Sequence, residues 1–237
     1  MEWLFAPIDP ARAHEVASGV AWHGRSMVLA WGILAPLAVL IARFYKVLPG
    51  QDWPQELDSQ VWWRGHWMGQ SLVLLLTGVG LGLVFQTGEP RDLHAKLGYS
   101  VIVLVCAQVG LGVFRGTKGG PTSPAPDGSL RGDHYDMTPW RVMFEWVHKS
   151  VGYALLLLAS LTLLLGMWDA NAPLWMWLVI TLWWIGFALL FVALQRQGHA
   201  VDTYQAIWGP GTEHPGNHRK PIGWGIRRDD DHRQPGE

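Results

Sequence analysis

Five blocks of apolar sequence, at residues 27–42, 67–85, 97–114, 151–168 and 174–194, contain no Lys, Arg, Asp or Glu. Each approaches or reaches the roughly 20 residues that a helix needs to cross the hydrocarbon core of a bilayer. A helix packed in a water-soluble core keeps a polar stripe at every third or fourth position, and these blocks have none. The chain is therefore expected to be all-α, an integral membrane protein with five transmembrane helices and the lipid bilayer as its first partner. Hydrophobic residues make up 49% of the 237, and the mean hydropathy of +0.12 is modest because polar loops and a polar tail dilute the blocks. The opening MEWLFAPIDPARAHEV has an acid at Glu2, no basic cluster and no small-residue cleavage site, so a cleaved signal peptide is not expected. Within it, Asp9 as cap and Pro10 at the first position predict a short interfacial helix.

Consecutive spans alternate direction, which sorts the loops onto two sides. Arg12, Arg25, Arg91 and Lys96 fall on the N-terminal side, and the other fourteen of the eighteen Lys and Arg fall opposite. The excess of positive charge marks the cytoplasmic side. The expectation is a multi-pass protein of a bacterial inner membrane, N-terminus outside and C-terminus cytoplasmic. Residues 116–140 and the tail 196–237 are rich in Gly, Pro, Asp and Ser, and neither is predicted to form its own core. The tail does keep Trp208 and Trp224, which suggests that part of it lies on the membrane surface or on a partner.

Four histidines stand at the openings of the first four spans: His23, His66, His94 and His148. The fifth span has none, which makes it peripheral to a four-helix core. Alternating direction places His23 and His94 together near the outer face, and His66 and His148 together near the inner one. Two imidazoles facing each other across a helical bundle are what a six-coordinate haem iron requires. Gly98 and Gly152 lie one turn along from His94 and His148 and leave room for a flat porphyrin; Gly69 follows His66 and Gly24 adjoins His23. Arg25 and Lys96 accompany the outer pair, and Arg64 and Lys149 the inner pair, as partners for haem propionates. A zinc or copper ion pathway also uses imidazole, although it usually includes carboxylates within the helices, and there are none here.

The motifs around these histidines also resemble a known family. HGRSMVLAWGILAPLAVLIARFYK, HWMGQ with His66 and Gln70, HAKLGYSVIVLVCAQ ending at Gln108, and VHKSVGYALL follow in order. They resemble the cytochrome b561 superfamily, particularly the form fused to DOMON domains, over about residues 21–166. The resemblance implies two non-covalent b-type haems, ligand pairs His23/His94 and His66/His148, and electron transfer across the membrane. It divides the chain into an outer segment 1–22, a cytochrome b561-like domain 23–195 with a cytoplasmic loop 115–147, and a tail 196–237. The extra N-terminal helix of the six-helix ascorbate-dependent members has no counterpart in these residues, and Arg43 alone resembles their lysine-rich donor site. The function expected is that of an oxidoreductase, a transmembrane dihaem cytochrome serving a small-molecule reductant or quinone. The alternatives are a haem-bearing membrane anchor that exchanges electrons with quinone for a partner redox protein, and a haemless binding or transport protein. A homodimer or a redox partner protein fits either haem reading, and no nucleic acid is expected.

Other features carry less. Cys106 is the only cysteine, which excludes CxxCH attachment, an iron–sulfur cluster and an intrachain disulfide. TGVGLG at 77–82 lies mid-span and reads as close helix packing. His214 and His218 in HPGNH are expected in a solvated tail. His134 and Tyr135 are candidates to meet a substrate near the inner haem, or ordinary loop residues. Trp175 and Trp177 suit an interfacial belt, Trp183 and Trp184 suit packing against lipid or a neighbouring subunit, and Pro36 is expected to bend the first span.

Overall fold

The computed structural model describes residues 2–85, 92–116 and 124–229; Arg91 and Lys118, counted for orientation, and the tail end 230–237 lie outside the described residues. Five helices are long and apolar enough to cross a membrane: α1 (Ser18–Phe44), α2 (Gln60–Val84), α3 (Leu93–Val113), α5 (Pro139–Asp169) and α6 (Leu174–Arg196). Short helices α4 (Asp133–Asp136) and α7 (Thr203–Trp208) and 3-10 turns at Glu2–Phe5 and Pro215–His218 complete the elements. Among the described residues there is no sheet, only isolated bridges pairing Pro7 with Pro173 and Val201 with Arg227. The chain is an all-α, multi-pass membrane protein.

The helices overrun the apolar blocks, most visibly α5. α5 begins at Pro139, well ahead of the block at 151–168, with the Thr138 hydroxyl accepting from the Arg141 N–H at 3.3 Å. Proline at the first helical position loses no hydrogen bond there. The end of the loop expected at 115–147 is therefore helical, and His148 sits well inside α5.

The chain divides into two compact units. The first comprises Met1–Val39, Trp67–Val105 and Tyr153–Val192. Its core is Ala30, Trp31, Ala35, Val73, Val101, Val105, Leu155, Ala159 and Leu163. The buried Trp31 indole donates to the Thr77 hydroxyl at 3.1 Å, and that hydroxyl donates to the Val73 carbonyl at 2.7 Å. Pro36 follows a stretch of α1 where the backbone widens into a π segment, Val28–Leu34. A proline ring clashes with the carbonyl four residues earlier and supplies no N–H to it, and here that carbonyl belongs to Gly32. The Trp183 and Trp184 indoles both donate to it, at 3.0 and 3.3 Å. Their N–H groups thus serve α1, while the Trp183 ring itself is exposed.

The interfacial helix expected after Asp9 is also corrected. Residues 9–17 form a turn and an extended strap, with the Asp9 carboxylate accepting from the Ala11 N–H at 3.0 Å. Tertiary contacts outweigh the capping signal. The Asn171 amide donates to the carbonyls of Asp9, Arg12 and Ala13, and its oxygen accepts from the Asp9 N–H. Arg12 in turn donates to the carbonyls of Trp168 and Asp169, at 3.0 Å each. A cation on these terminal carbonyls satisfies orphan acceptors and complements the α5 dipole.

The second unit comprises Leu40–His66, Cys106–Gly152 and Ala193–Glu237. Contrary to the composition, its tail packs a core: Met137, Tyr204, Ile207, Trp208 and Ile222, flanked by Trp62, Tyr135 and Val142. Every residue of α7 is buried, and Asp202 caps it by accepting from the Tyr204 N–H at 3.3 Å. Asp202 also pairs with Arg228, whose guanidinium reaches the carbonyls of Gly216, Asn217 and Arg219. The few apolar residues suffice because they pack on the ends of α2 and α5 and on α4. Gly198 and Gly209, at φ of 80° and 89°, make the turns into and out of the α7 segment. Trp208 is buried as part of this core, whereas Trp224 is exposed.

Candidate functional site

Each unit brings one of the expected histidine pairs together. In the first, His23 of α1 faces His94 of α3 with ring centres 6.2 Å apart and planes at 89°. In the second, His66 of α2 faces His148 of α5, also at 6.2 Å, with planes at 80°. With metal–imidazole bonds of about 2 Å and each ligating nitrogen about 1 Å from its ring centre, two imidazoles on opposite faces of one metal have centres about 6 Å apart. The spacing fits a single six-coordinate iron in each pair. No group of three or more His, Cys, Asp or Glu gathers among the described residues.

The partners of the rings decide which nitrogen is free. His23 Nδ1 lies 2.9 Å from the Gly80 carbonyl, and His94 Nδ1 lies 3.0 Å from the Thr162 carbonyl. A carbonyl only accepts, so Nδ1 carries the proton and Nε2 offers its lone pair to a metal. His148 differs: its Nδ1 is buried and has no hydrogen-bond partner, and Phe144 stacks on the ring at 5.2 Å. The Gln108 amide donates to the His148 backbone carbonyl at 2.9 Å, which ties α3 to α5 beside the ring.

The glycines divide by role. A side chain at Gly98 would meet nothing within 4 Å, and one at Gly152 would meet only the Gln108 amide, at 3.6 Å. One turn from a ligating ring, these openings suit a flat macrocycle. Gly24 also faces open space, but Gly69 does not: a Cβ there would come 2.8 Å from Ala38 Cβ, so this glycine serves helix packing. Two glycines matter that the histidine motifs do not mark. A Cβ at Gly166 would come 2.8 Å from the His94 ring, and one at Gly80 would come 2.5 Å from Met27 Cε. Gly80 lies within TGVGLG and bears out the close-packing reading; only the helix pairing shows that Gly166 faces a histidine.

Of the expected cations, Arg25 is exposed and lies over the Trp22 ring at 4.7 Å, and Lys96 and Arg64 are also exposed. Lys149 is held: its ammonium donates to Glu145 and to the Ile222 carbonyl, each at 2.8 Å. Glu145 is buried and also pairs with Arg141 at 3.3 Å, so both its oxygens are satisfied. Arg115 lies over the Trp63 ring at 4.0 Å, and burial, followed by the charge of Arg141, lowers its pKa to about 10. Arg43 is buried and donates to Gln195 and to the Trp224 carbonyl. Lys46 is buried as well and donates to the carbonyls of Arg43 and Val201; burial, then Lys149, lowers its pKa to about 7. His134 is enclosed rather than in a loop at the surface, stacking on Tyr204 at 6.1 Å, and burial lowers its pKa to about 3. Tyr135 packs edge-on to Trp208 at 4.7 Å. His214 precedes a 3-10 turn and His218 ends it; His214 Nδ1 is buried, which corrects its solvated placement, whereas His218 is exposed.

The fold and the site together define an all-helical membrane protein with two facing histidine pairs. Comparison with known proteins finds relatives at about 30% identity. The chain is 32% identical over 150 residues to a cytochrome b561, DM13 and DOMON domain-containing protein of Arabidopsis thaliana, covering 61% of this chain and 14% of that protein. It is 29% identical over 189 residues to a putative ferric-chelate reductase 1 of Xenopus laevis, covering 75% and 28%. It is 30% identical over 151 residues to ferric-chelate reductase 1 of Homo sapiens, covering 61% and 22%. The chain thus spans well under a third of the length of these relatives. The resemblance to the cytochrome b561 superfamily carried by the histidine motifs is borne out. No family model matches the chain, and no solved structure matches it.

Proposed function

We propose that the chain is an oxidoreductase: a b-type cytochrome that holds one haem between His23 and His94 and a second between His66 and His148, and carries electrons across the membrane. The observation that carries this reading is the 6.2 Å separation of the ring centres in both pairs, the spacing that one iron between two imidazoles needs. Family likeness supports haem b, and two of the relatives are named for ferric-chelate reduction, which supports a small-molecule reductant on one side and an external acceptor on the other.

Bound haem iron supplies a one-electron couple. The polypeptide does the rest without a nucleophile or a general base. His23 and His94 would ligate through Nε2, with Nδ1 of each anchoring its ring to a helix carbonyl, His66 and His148 would supply the second pair of imidazoles, and the apolar helices exclude water. Arg25 and Lys96 beside the first pair, and Arg64 and Lys149 beside the second, are the propionate partners in this reading. The charge asymmetry of the loops supports an inner membrane orientation with the N-terminus outside. A hydrocarbon core of roughly 30 Å is too wide for one haem to bridge, and two centres divide it into shorter steps.

The test is electron transfer in liposomes that hold the protein and a trapped impermeant oxidant. A water-soluble reductant added outside is expected to bleach the oxidant, and His94→Ala or His148→Ala to stop it. Bleaching by a quinol alone would favour an anchor that serves a partner protein. No bleaching from either donor, with both haems present and reducible by dithionite, would end the relay reading.

A further inference from the structure

Trp224 is held outward by a turn in the tail. It is 75% exposed, whereas Trp208, the other tryptophan of the tail, is buried. Gly223 and Gly225 flank it at φ of 116° and 63°, conformations that glycine adopts without strain. The backbone of this turn is pinned at three successive carbonyls. The Lys149 ammonium donates to Ile222 at 2.8 Å, Arg43 to Trp224 at 2.7 Å, and the Gln195 amide to Gly225 at 2.6 Å. Arg43 also donates to the Gln195 side-chain oxygen at 2.7 Å, which joins the last turns of α1 and α6 beside the turn. Its guanidinium lies 5.8 Å from the centre of the Trp224 ring.

These anchors set the depth of the indole. Arg43 directly follows the uncharged block 27–42, and Gln195 directly follows the block 174–194. A helix leaves the hydrocarbon where its uncharged run ends, so a turn fixed to both residues lies at the headgroup level. An indole at that level keeps its ring in the apolar edge of the interface and its N–H in the wet part. Charge completes the surface. Arg196, Arg219, Lys220 and Arg227 are exposed and make no ion pair among the described residues. No acid lies between Glu213 and Asp229. Asp202 is taken by Arg228, Glu213 pairs with His214, and Asp229, Asp230 and Asp231 come after the turn in sequence rather than within it.

We propose that the turn around Trp224 is a docking surface for anionic phospholipid headgroups of the leaflet in which α1 and α6 end. Trp224 seats in the interface, and Arg196, Arg219, Lys220 and Arg227 supply the charge that lipid phosphate attracts, through charge-assisted hydrogen bonds to its oxygens. Gly223 and Gly225 are positioning residues, because they let the pinned backbone present the indole outward. The tail is then fastened to the bilayer at the same place where it is fastened to the two spans.

Binding of a fluorescently labelled phosphatidylglycerol to the full chain in detergent, read by anisotropy, tests the proposal. Each cation near an anionic surface is worth about fivefold in affinity, so Lys220→Gln combined with Arg227→Gln is expected to weaken binding roughly tenfold or more. Trp224→Ser is expected to weaken labelled phosphatidylglycerol and labelled phosphatidylcholine alike, because the indole responds to depth and not to charge. Arg131→Gln removes an exposed cation outside the turn and is expected to leave binding unchanged. A loss with Arg131→Gln equal to that of the double variant would mean a diffuse basic face. Competition by inorganic phosphate as strong as by unlabelled phosphatidylglycerol would mean a site for free phosphate. Either result overturns the proposal, as does a Trp224→Ser variant that binds both lipids normally. Equal affinity for phosphatidylglycerol and phosphatidylcholine would also overturn it, and would leave the turn to a second copy of the chain or to a partner protein. The readout involves no haem, so its outcome is separate from that of the haem reading.

Discussion

A ring held by one hydrogen bond is sensitive to any atom pushed against it. Gly166→Ala would place a methyl 2.8 Å from the His94 ring, an overpacking that costs about 1–3 kcal/mol. The expected result is an altered or lost His23/His94 component with the other unchanged, while Gly110→Ala, where a Cβ meets nothing within 4 Å, leaves both intact. Absorbance spectra of the two variants check this. Lys46 offers a separate test of the second unit. Its folded-state pKa, about 7 against 10.5 for the free side chain, is lowered by burial, so between these values the unfolded chain binds more protons. Stability is therefore expected to rise as pH increases from 7 to 9, below the range where Tyr204, its pKa raised by burial to about 12, begins to act. Melting curves across this range should show the rise, and Lys46→Met should flatten it; an unchanged slope in the variant would remove Lys46 as the cause. The four histidines were legible from the sequence because one per span, at alternating ends, leaves a single antiparallel pairing. The acceptors of their Nδ1 protons were not legible, because a backbone carbonyl has no residue signature.

Pro36 frees the Gly32 carbonyl of α1, and two indoles from α6 share it. Trp183→Phe or Trp184→Phe alone is expected to cost little, since the other donor remains. The double variant leaves a carbonyl unsatisfied and should cost about 1–3 kcal/mol more than the sum. A double-mutant cycle on unfolding checks it, and simple additivity would mean that the indoles act independently. The elements differed in how far sequence disclosed them. Uncharged apolar runs disclosed all five spans, and Thr138–Pro139 held an unused signal for the early start of α5. The strap at 9–17 misled, because Asp9 and Pro10 satisfy the local rules for a helix start. Asn171 and Arg12 bind that segment to the end of α5 instead, a contact across more than 150 residues that no local rule contains. The tail misled for a related reason: Tyr204, Ile207, Trp208 and Ile222 are too few to make a core alone, and become one on Met137, Trp62 and Val142.

At the scale of the whole molecule, fewer than a third of the residues of its longer relatives suffice to present two complete histidine pairs, one in each unit. Each pair draws its histidines from two different helices, and neither helix can bring a second imidazole to its own. The central claim is that each pair holds one haem, and haem stoichiometry tests it most directly. A pyridine haemochrome assay on the purified, folded chain should give two haems per polypeptide, released on denaturation because no thioether linkage is available. His23→Ala, His94→Ala, His66→Ala and His148→Ala should each retain one, the first two losing the same spectral component and the last two the other. Well-folded protein with no haem, or His23→Ala and His66→Ala losing the same component, would contradict the account.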